Sequence, residues 1–542
     1  MLTRLMSRAG VALIAGTLAL TACSAPQSAT RTSDQSGDRA TRIVLADAYD
    51  LGGFNPISGY GELGVSPLYD GLMRLDSSGD DRLPAFAPAL ATAPPTSNAD
   101  FTEWTVPLRS GVTFHDGTSF DAADVVATYE AVLDPASASE IASAFEMIDA
   151  VTGQATDAGE SVTFTLKYPY ADFPARLLLV IAPSEKLTGG LASESSLNRE
   201  PVGTGPYRLA ELSTDRAVFV VNESYWGSVP QVRELTTVHL PDDGARAMRV
   251  AAGEFDGTVL PPALAKTFEA RNGFSVEPAR SADWRGVSLP ADVAFTADPQ
   301  VRIALNLAVD REAIVSKVLA GYGTAAHTPV SPMYGDAFDP EAAFPFDPDR
   351  ARAMLAAAGW TPGPDGVLVK GDDRATFTVA VSPTDSLRRD LATAFAADMK
   401  KIGVEVKLEA LGWDKIEPRI GDLGILLGGG DKPYSLDTQV FAALHTPIDG
   451  TAVWDNPGRF GTPALDAALD EARRTADESR RTTLYREVQS EYLTDPSYVF
   501  LAFLEHTYVV RDSDWKRAPV TVEPHAHGVN WGPWWNLATW TR

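Results

Sequence analysis

The residues that could carry out chemistry are few and scattered along this chain. It has no His-Glu-x-x-His motif and no Gly-x-Ser-x-Gly motif, and Cys23 is its single cysteine. Among seven histidines only His525 and His527 are close, and on a strand this spacing places both side chains on one face. Two imidazoles there could bind a transition metal. We therefore predict no catalytic residues and no cofactor. We also predict no bound metal; if a metal does bind, His525 and His527 are the candidate ligands.

Composition limits the class of protein. The chain has 46 Lys and Arg against 72 Asp and Glu, a formal net charge of -26. Such an acidic protein does not bind nucleic acid readily, because phosphate neutralisation needs clustered basic residues. The 542 residues exceed what one core usually holds, so at least two domains are expected. Mixed strand and helix patterns with 43 Gly and 38 Pro favour an α/β fold with many loops.

The amino terminus has the features of an export signal. Arg4 and Arg8 precede an apolar segment, residues 9–20, which is too short to span a bilayer but suits a signal peptide. Leu20-Thr21-Ala22-Cys23 resembles the bacterial lipoprotein box, which implies lipidation of Cys23. We predict a signal peptide over 1–22 and a flexible tether over 23–41, with anchoring to the outer face of the cytoplasmic membrane. An ordinary secretory signal with an incidental cysteine is the alternative.

The stretch from Phe101 to Leu133 predicts a strand, turns and then a helix. Trp104, Val106 and Leu108 alternate with polar residues, as in a half-buried strand. Asp121 stands at the N-cap position of the helix, with Asp124 three residues later.

Several segments together resemble the family-5 extracellular solute-binding proteins, the peptide- and nickel-type receptors of ABC importers. The resemblance extends from about Arg42 to the end of the chain. The motifs that carry it are Leu108–Val126, Glu200–Tyr207, Asn222–Gly227, Pro299–Arg311 and Asp347–Trp360.

This resemblance implies a two-lobed α/β periplasmic-binding-protein type II (Venus flytrap) fold with an extra subdomain. Lobe I would cover 42–282, with the subdomain at about 76–200, and lobe II 283–508, before 509–542 return to lobe I. Within lobe II, Thr376–Val381 and Val404–Leu408 are predicted as parallel strands joined by the helix Leu387–Ile402. We expect Tyr498–Val510 to form a pair of strands.

The resemblance also implies a ligand cleft between the lobes. Lobe I would contribute an opening loop, the crossover between lobes would lie near the cleft floor, and a loop of lobe II would close the cleft. In that last loop Gly428-Gly429-Gly430 replaces the tryptophan usual in the family. The candidate contacts are Tyr60, Glu62, Trp284, Arg285, Trp413, Asp431, Tyr434 and Asp437.

The predicted function is a monomeric, lipid-anchored receptor that binds short peptides and delivers them to an ABC permease. The chain has no P-loop, so a separate ATPase would supply the energy. A receptor for nickel or cobalt chelates is the alternative, although residues 133–140 lack the arginines expected for a chelate clamp. A hydrolase using paired carboxylates is the alternative from a different class, and a sensor or chaperone on the same fold also stays open.

Overall fold

The computed structural model describes residues 41–76, 82–156, 159–448, 453–525 and 527–542. The predicted signal peptide, tether and Cys23 therefore lie outside the described residues. Within these ranges the helices are α1 (Ala122–Leu133), α2 (Asp243–Ala251), α3 (Pro262–Ala265), α4 (Pro299–Leu307), α5 (Arg311–Lys317), α6 (Pro348–Ala357), α7 (Ser386–Lys401), α8 (Trp413–Ile416), α9 (Leu436–Leu444), α10 (Pro463–Arg474) and α11 (Glu478–Tyr492). None of these helices combines the length and the apolar character needed to cross a bilayer.

The described residues also form twenty strands. In chain order they are β1 (Arg42–Asp47), β2 (Met73–Asp76), β3 (Ala85–Pro88), β4 (Thr96–Ser97), β5 (Glu103–Pro107), β6 (Ile148–Thr156), β7 (Gly159–Leu166), β8 (Tyr207–Leu212), β9 (Arg216–Val221), β10 (Glu234–His239), β11 (Gly257–Leu260), β12 (Phe274–Ser288), β13 (Gly323–Ala325), β14 (Thr361–Pro362), β15 (Leu368–Lys370), β16 (Asp373–Arg374), β17 (Thr376–Val381), β18 (Glu405–Ala410), β19 (Gly424–Gly429) and β20 (Tyr498–Arg511).

One mixed sheet runs through the molecule in the order β18-β17-β19-β12-β20-β11-β1-β10-β9-β8, with β13 paired to β20. At one end β1 is parallel to β10 and β11, and at the other β17 is parallel to β18 and β19. The long strands β12 and β20 are antiparallel to each other and connect the two ends. A separate antiparallel sheet, β4-β5-β7-β6, packs against α1.

Two large hydrophobic cores lie on the two ends of this sheet. The first is built from side chains between Ile43 and Ala279, Tyr434, and the tail from Tyr508 to Trp540. The second is built from side chains between Trp284 and Leu504. We call the parts that surround these cores lobe I and lobe II. The predicted boundaries at 282 and 508 stay predictions.

Local chemistry explains the predicted elements that form. Asp121 caps α1 through the backbone amide of Ala123, and the Asp124 carboxylate accepts from the Asp121 amide, as a capping box does. The predicted β-α-β unit is β17, α7 and β18, with both strands parallel. The predicted strand pair over Tyr498–Val510 is wrong: these residues form the single strand β20, which lies between β12 and β11 and needs no reversal.

Candidate functional site

The floor of the site is the crossing of β12 and β20. The pairing of the two strands shifts register between Arg280 and Trp284, so the chain bulges at residues 281–283. From Ser281 to Ser288 every residue of β12 is buried, which means that both faces of the strand are covered here. The bulge places Asp283, with no exposed surface, beside Arg285, which is 5% exposed.

The glycine run of the lobe II loop makes room for side chains on this floor. A Cβ at Gly428 would lie 2.3 Å from the Arg285 guanidinium and 2.4 Å from the His525 ring. A Cβ at Gly429 would lie 2.3 Å from the Trp284 ring. At Gly430 the backbone has φ of +102° and approaches the Ala282 carbonyl closely. The packing of Trp284, Arg285 and His525 therefore requires glycine in this part of the loop.

Two arginines meet above this floor. Arg285 is ion-paired with Asp283, and Arg388, in the first turn of α7, is bonded to Asp385 at 3.1 Å. The buried Nε atoms of both arginines have no hydrogen-bond partner among the described residues. Desolvation, then repulsion from Arg388, lowers the pKa of Arg285 to about 9. Two nearby cations with unused donors form a site for an anionic group.

Tyr49 and Asp431 lie close enough to these arginines to interact with their charges, and we call the space bounded by these four side chains the recess. Tyr49, which follows β1, is 52% exposed, yet desolvation by the surrounding protein raises the pKa of its hydroxyl. Asp431 is likewise accessible, and desolvation raises the pKa of its carboxyl, opposed by Lys432, Arg285 and Arg388. Tyr49 belongs to lobe I and Asp431 to lobe II, so the recess lies between the lobes. Its walls therefore carry both positive and negative groups.

The lip of the recess is a contact between the lobes. Lys432 of the lobe II loop lies 3.5 Å from the Glu62 carboxylate of lobe I, and both side chains are largely buried. Trp413, at the start of α8, is 40% exposed and lies 5.5 Å from the Arg388 guanidinium. An aromatic ring at this distance stabilises the cation and gives the recess an apolar wall.

A second set of contacts between the lobes is fully paired, and we call it the clasp. Asp437 of α9 accepts hydrogen bonds from Arg473 Nε at 3.0 Å and from the Tyr170 hydroxyl of lobe I at 3.2 Å. Asp172 of lobe I accepts from the Ser435 hydroxyl at 2.9 Å and lies 3.7 Å from Arg481. The clasp holds the two lobes together, with its carboxylates already satisfied.

Histidines lie directly beneath the arginines. His525 Nδ1 lies 2.8 Å from Asp283 Oδ1, and its Nε2 lies 3.4 Å from Arg388. His506 lies between Asp283 and Glu523, at 3.1 and 2.7 Å. Desolvation, then nearby cations, lowers the pKa of His525 well below its usual value, and burial raises that of Glu523.

The predicted ligand contacts fall into three environments, and their roles in binding stay predictions. Arg285, Trp413 and Asp431 surround the recess, and Glu62 lies at its lip. His525, which was predicted as a metal candidate, lies beside Arg285. The other predicted contacts are occupied by contacts within the protein. Tyr60 packs edge-to-face on Phe54 and Tyr69 in lobe I, and Trp284 packs on Tyr498 and Phe500 in lobe II. Tyr434 donates to the Val522 carbonyl inside the first core, and Asp437 belongs to the clasp.

Sequence reasoning missed Tyr49, Asp385 and Arg388. All three follow the carboxyl ends of strands, β1 for Tyr49 and the predicted strand β17 for the other two. In an open α/β sheet, ligands bind at the carboxyl ends of parallel strands. Applying that rule to the predicted strand Thr376–Val381 would have pointed to Asp385 and Arg388.

Comparison with known proteins agrees with this architecture. The family model described as "Bacterial extracellular solute-binding proteins, family 5 Middle" matches residues 85–447. Protein XP55 of Streptomyces lividans is 38% identical over 512 residues, covering 93% of this chain and 91% of that protein. Oligopeptide-binding protein AppA of Bacillus subtilis (strain 168) is 28% identical over 420 residues, covering 73% and 75%. The crystal structure of NikZ from Campylobacter jejuni in complex with Ni(L-His) has 26% identity and a TM-score of 0.81, covering 93% and 100%.

The architecture shared with these proteins is the two-lobed fold of the family 5 periplasmic binding proteins. The chain belongs to family 5 of the bacterial extracellular solute-binding proteins, which are peptide- or nickel-type receptors of ABC importers. The predicted family and fold class are confirmed. Proteins of this family are transport receptors that work outside the cytoplasm.

Proposed function

We propose that this receptor captures short peptides with free termini in the recess between its lobes. The observation that carries the proposal is the pair of buried, unpartnered Nε donors on Arg285 and Arg388 beside the accessible Asp431. A peptide carries a carboxylate at one end and an ammonium group at the other. The recess offers groups of the opposite charge for both.

The peptide carboxylate would bind between Arg285 and Arg388. A guanidinium group presents donors in a planar fork that matches a carboxylate, and such charge-assisted hydrogen bonds are among the strong ones. The α-amino group would pair with Asp431. Tyr49 and Trp413 supply aromatic surface for side chains of the peptide, as in other mostly apolar ligand sites with a few polar groups.

Binding would favour the closed arrangement of the lobes. Arg285 belongs to β12 at the crossing, Arg388 and Asp431 belong to lobe II, and Tyr49 belongs to lobe I. A solute that touches both lobes gains contacts only when they are closed, so it shifts the population toward closure. The closed receptor, acting as a monomer, would then dock on the permease of an importer with a separate ATPase.

The receptor would be held at the outer face of the cytoplasmic membrane by a lipid on Cys23. Cys23→Ala removes the acceptor of that lipid and should release the protein from the membrane fraction. Membrane retention of this variant would overturn the anchoring.

The test of peptide binding uses the full-length protein, unfolded and refolded to remove bound solute. Isothermal titration compares one short peptide with its C-terminally amidated and N-acetylated forms. Each blocked terminus should weaken binding by about tenfold or more, since a hydrogen bond to a charged group contributes about 1.5–3 kcal/mol. Equal affinity for the three forms would overturn the assignment of the arginines and Asp431.

A metal chelate is the second candidate solute. The same two arginines could hold the carboxylates of an organic chelator, and the similar NikZ structure contains Ni(L-His). Mass spectrometry of the co-purified solute separates the two, because nickel has a distinctive isotope pattern. Hydrolysis of a peptide or glycan substrate by the protein would instead support the hydrolase alternative. Unchanged uptake of peptides after deletion of the gene would favour a sensor or chaperone.

A further inference from the structure

A line of buried polar side chains lies behind Arg285. Asp283 belongs to β12, His506 and Tyr508 belong to β20, and Glu523 belongs to the C-terminal tail. His506 is 4% exposed, and Asp283 and Glu523 have no exposed surface. Three chain segments that are far apart in sequence therefore meet at the bulge of β12. We call these four side chains the buried line.

Each side chain of the buried line is hydrogen-bonded to the next. The Tyr508 hydroxyl donates to Glu523 Oε2 at 2.8 Å, and His506 Nδ1 lies 2.7 Å from the same oxygen. His506 Nε2 lies 3.1 Å from Asp283 Oδ2. The Gly532 amide donates to the other oxygen of Glu523 at 2.5 Å. Both nitrogens of one imidazole therefore face carboxylate oxygens.

Two protons satisfy both contacts of His506. One lies between Glu523 and His506 and the other between His506 and Asp283, whichever atom of each pair carries it. With these two protons, the two carboxyl groups and the imidazole together have one net negative charge. This charge balances that of Arg285, so the buried guanidinium has its counter-ion behind it.

Asp283 connects the buried line to both arginines of the recess. Its Oδ1 is ion-paired with Arg285 and lies 2.8 Å from His525 Nδ1. His525 Nε2 lies 3.4 Å from Arg388, and because a guanidinium only donates, this nitrogen accepts and Nδ1 carries the proton that Asp283 accepts. The contacts that hold Arg285 here use its Nη1, whereas its Nε has no partner among the described residues.

We propose that the buried line positions Arg285 for the carboxylate of the solute, and that His506 is a positioning residue that does not touch the solute. His506 holds Oδ2 of Asp283, and Asp283 holds one end of the guanidinium so that its Nε stays available. A binding group that is held by further hydrogen bonds loses less freedom when the solute binds. The inference rests on the proposed function, since it concerns the same carboxylate.

The test uses two amide variants of His506 that differ in the carboxyl group they reach. His506→Gln places an amide near the position of Nε2 and keeps the contact with Asp283, whereas His506→Asn is shorter and reaches only Glu523. Full-length protein, unfolded and refolded to remove bound solute, is titrated with one short peptide and with its C-terminally amidated form. The ratio of the two affinities should fall at least about threefold in His506→Asn and stay at the parent's value in His506→Gln.

His445→Asn is the matched control. His445 is 8% exposed, lies at the end of α9 in lobe II, and stacks on Phe441 as His506 stacks on His527. This control should keep the parent's ratio of affinities. Tyr508→Phe removes only one hydroxyl from the buried line, and it should lower the ratio in the same direction by a smaller factor.

The outcomes separate this inference from the proposed function. If the parent, His506→Asn and Tyr508→Phe all have the same ratio, the positioning role is overturned and the buried line serves only the stability of the core. A loss of affinity by the same factor for both peptides has the same meaning. If the parent itself binds the free and the amidated peptide equally, the carboxylate assignment is overturned, and this inference with it.

Discussion

The recess and the clasp both join the two lobes with charged groups, yet they differ in how those groups are satisfied. In the clasp, Asp437 is 3% exposed and is bonded to Arg473 and Tyr170. In the recess, Arg285 and Arg388 keep buried donors without partners among the described residues, and Asp431 keeps accessible surface. A satisfied network closes the lobes, whereas an unsatisfied one can be completed by a solute. Two carboxylates six residues apart thus have different roles.

Removing the clasp carboxylate should have the largest effect, and it should be an effect on stability. Asp437→Ala leaves Arg473 largely buried without its main partner, and breaking a buried ion pair costs about 3–5 kcal/mol. Chemical denaturation measures the free energy of unfolding. The affinities for peptides with free and with blocked termini should fall by the same factor, because the clasp does not contact the peptide.

The matched control for the clasp is Glu471→Ala on α10, the helix that carries Arg473. Glu471 is about half exposed and pairs with Arg480 at the surface, so its loss should cost at most about 1 kcal/mol. A clasp variant no less stable than this control would contradict the assignment of Asp437 to lobe closure.

Removing a recess arginine should have a smaller effect, and it should be an effect on affinity. Arg388→Met should weaken peptides with a free carboxylate by about 10- to 100-fold, equivalent to about 1.4–2.8 kcal/mol. The free energy of unfolding should change little. Arg389→Met is the control, since Arg389 is the next residue on α7 and is exposed. If both variants bind the peptide with the affinity of the parent in titration calorimetry, Arg388 does not contact the solute.

Asp431→Asn should weaken binding by about tenfold, and only for peptides with a free α-amino group. The reason is that an amide of the same shape lacks the charge that pairs with ammonium. The N-acetylated peptide is the control and should bind parent and variant alike. Equal losses for both peptides would mean that Asp431 shapes the recess rather than recognises the amine.

The dependence of binding on pH should be the mildest of these effects. Desolvation raises the pKa of Asp431 above 3.8, so its charge is lost on acidification at a higher pH than that of an ordinary aspartate. Affinity for a free-amino peptide should therefore begin to fall while the pH is still above 3.8. Asp431→Asn should remove this part of the pH profile. A profile that is identical in parent and variant would assign the titration to another group.

Much of the fold was predictable because its signals are local. The capping box at Asp121 and the β-α-β unit of β17, α7 and β18 follow from residue types and spacing within short windows. The position of Trp284 was not predictable in this way. The bulge at residues 281–283 of β12 breaks the alternation that assigns side chains to faces, and it depends on pairing with β20, more than 200 residues away.

The site was predictable only in part, for a similar reason. Asp431 and Asp437 belong to one predicted loop, but α9 begins at Leu436 and places Asp437 against Arg473 of α10. The sequence of the loop does not indicate this contact between two helices. Arg388 was missed although its helix was predicted, because nothing local distinguishes it from Arg389. Only the position of the strand end identifies it.

The most direct test of the central claim is native mass spectrometry of the full-length protein, purified without unfolding so that its recess keeps its solute. The account predicts a ladder of added masses that fragment as short peptides with free termini, and loss of that ladder in Arg388→Met but not in Arg389→Met. A single added mass that contains no peptide, retained equally by both variants, would contradict it.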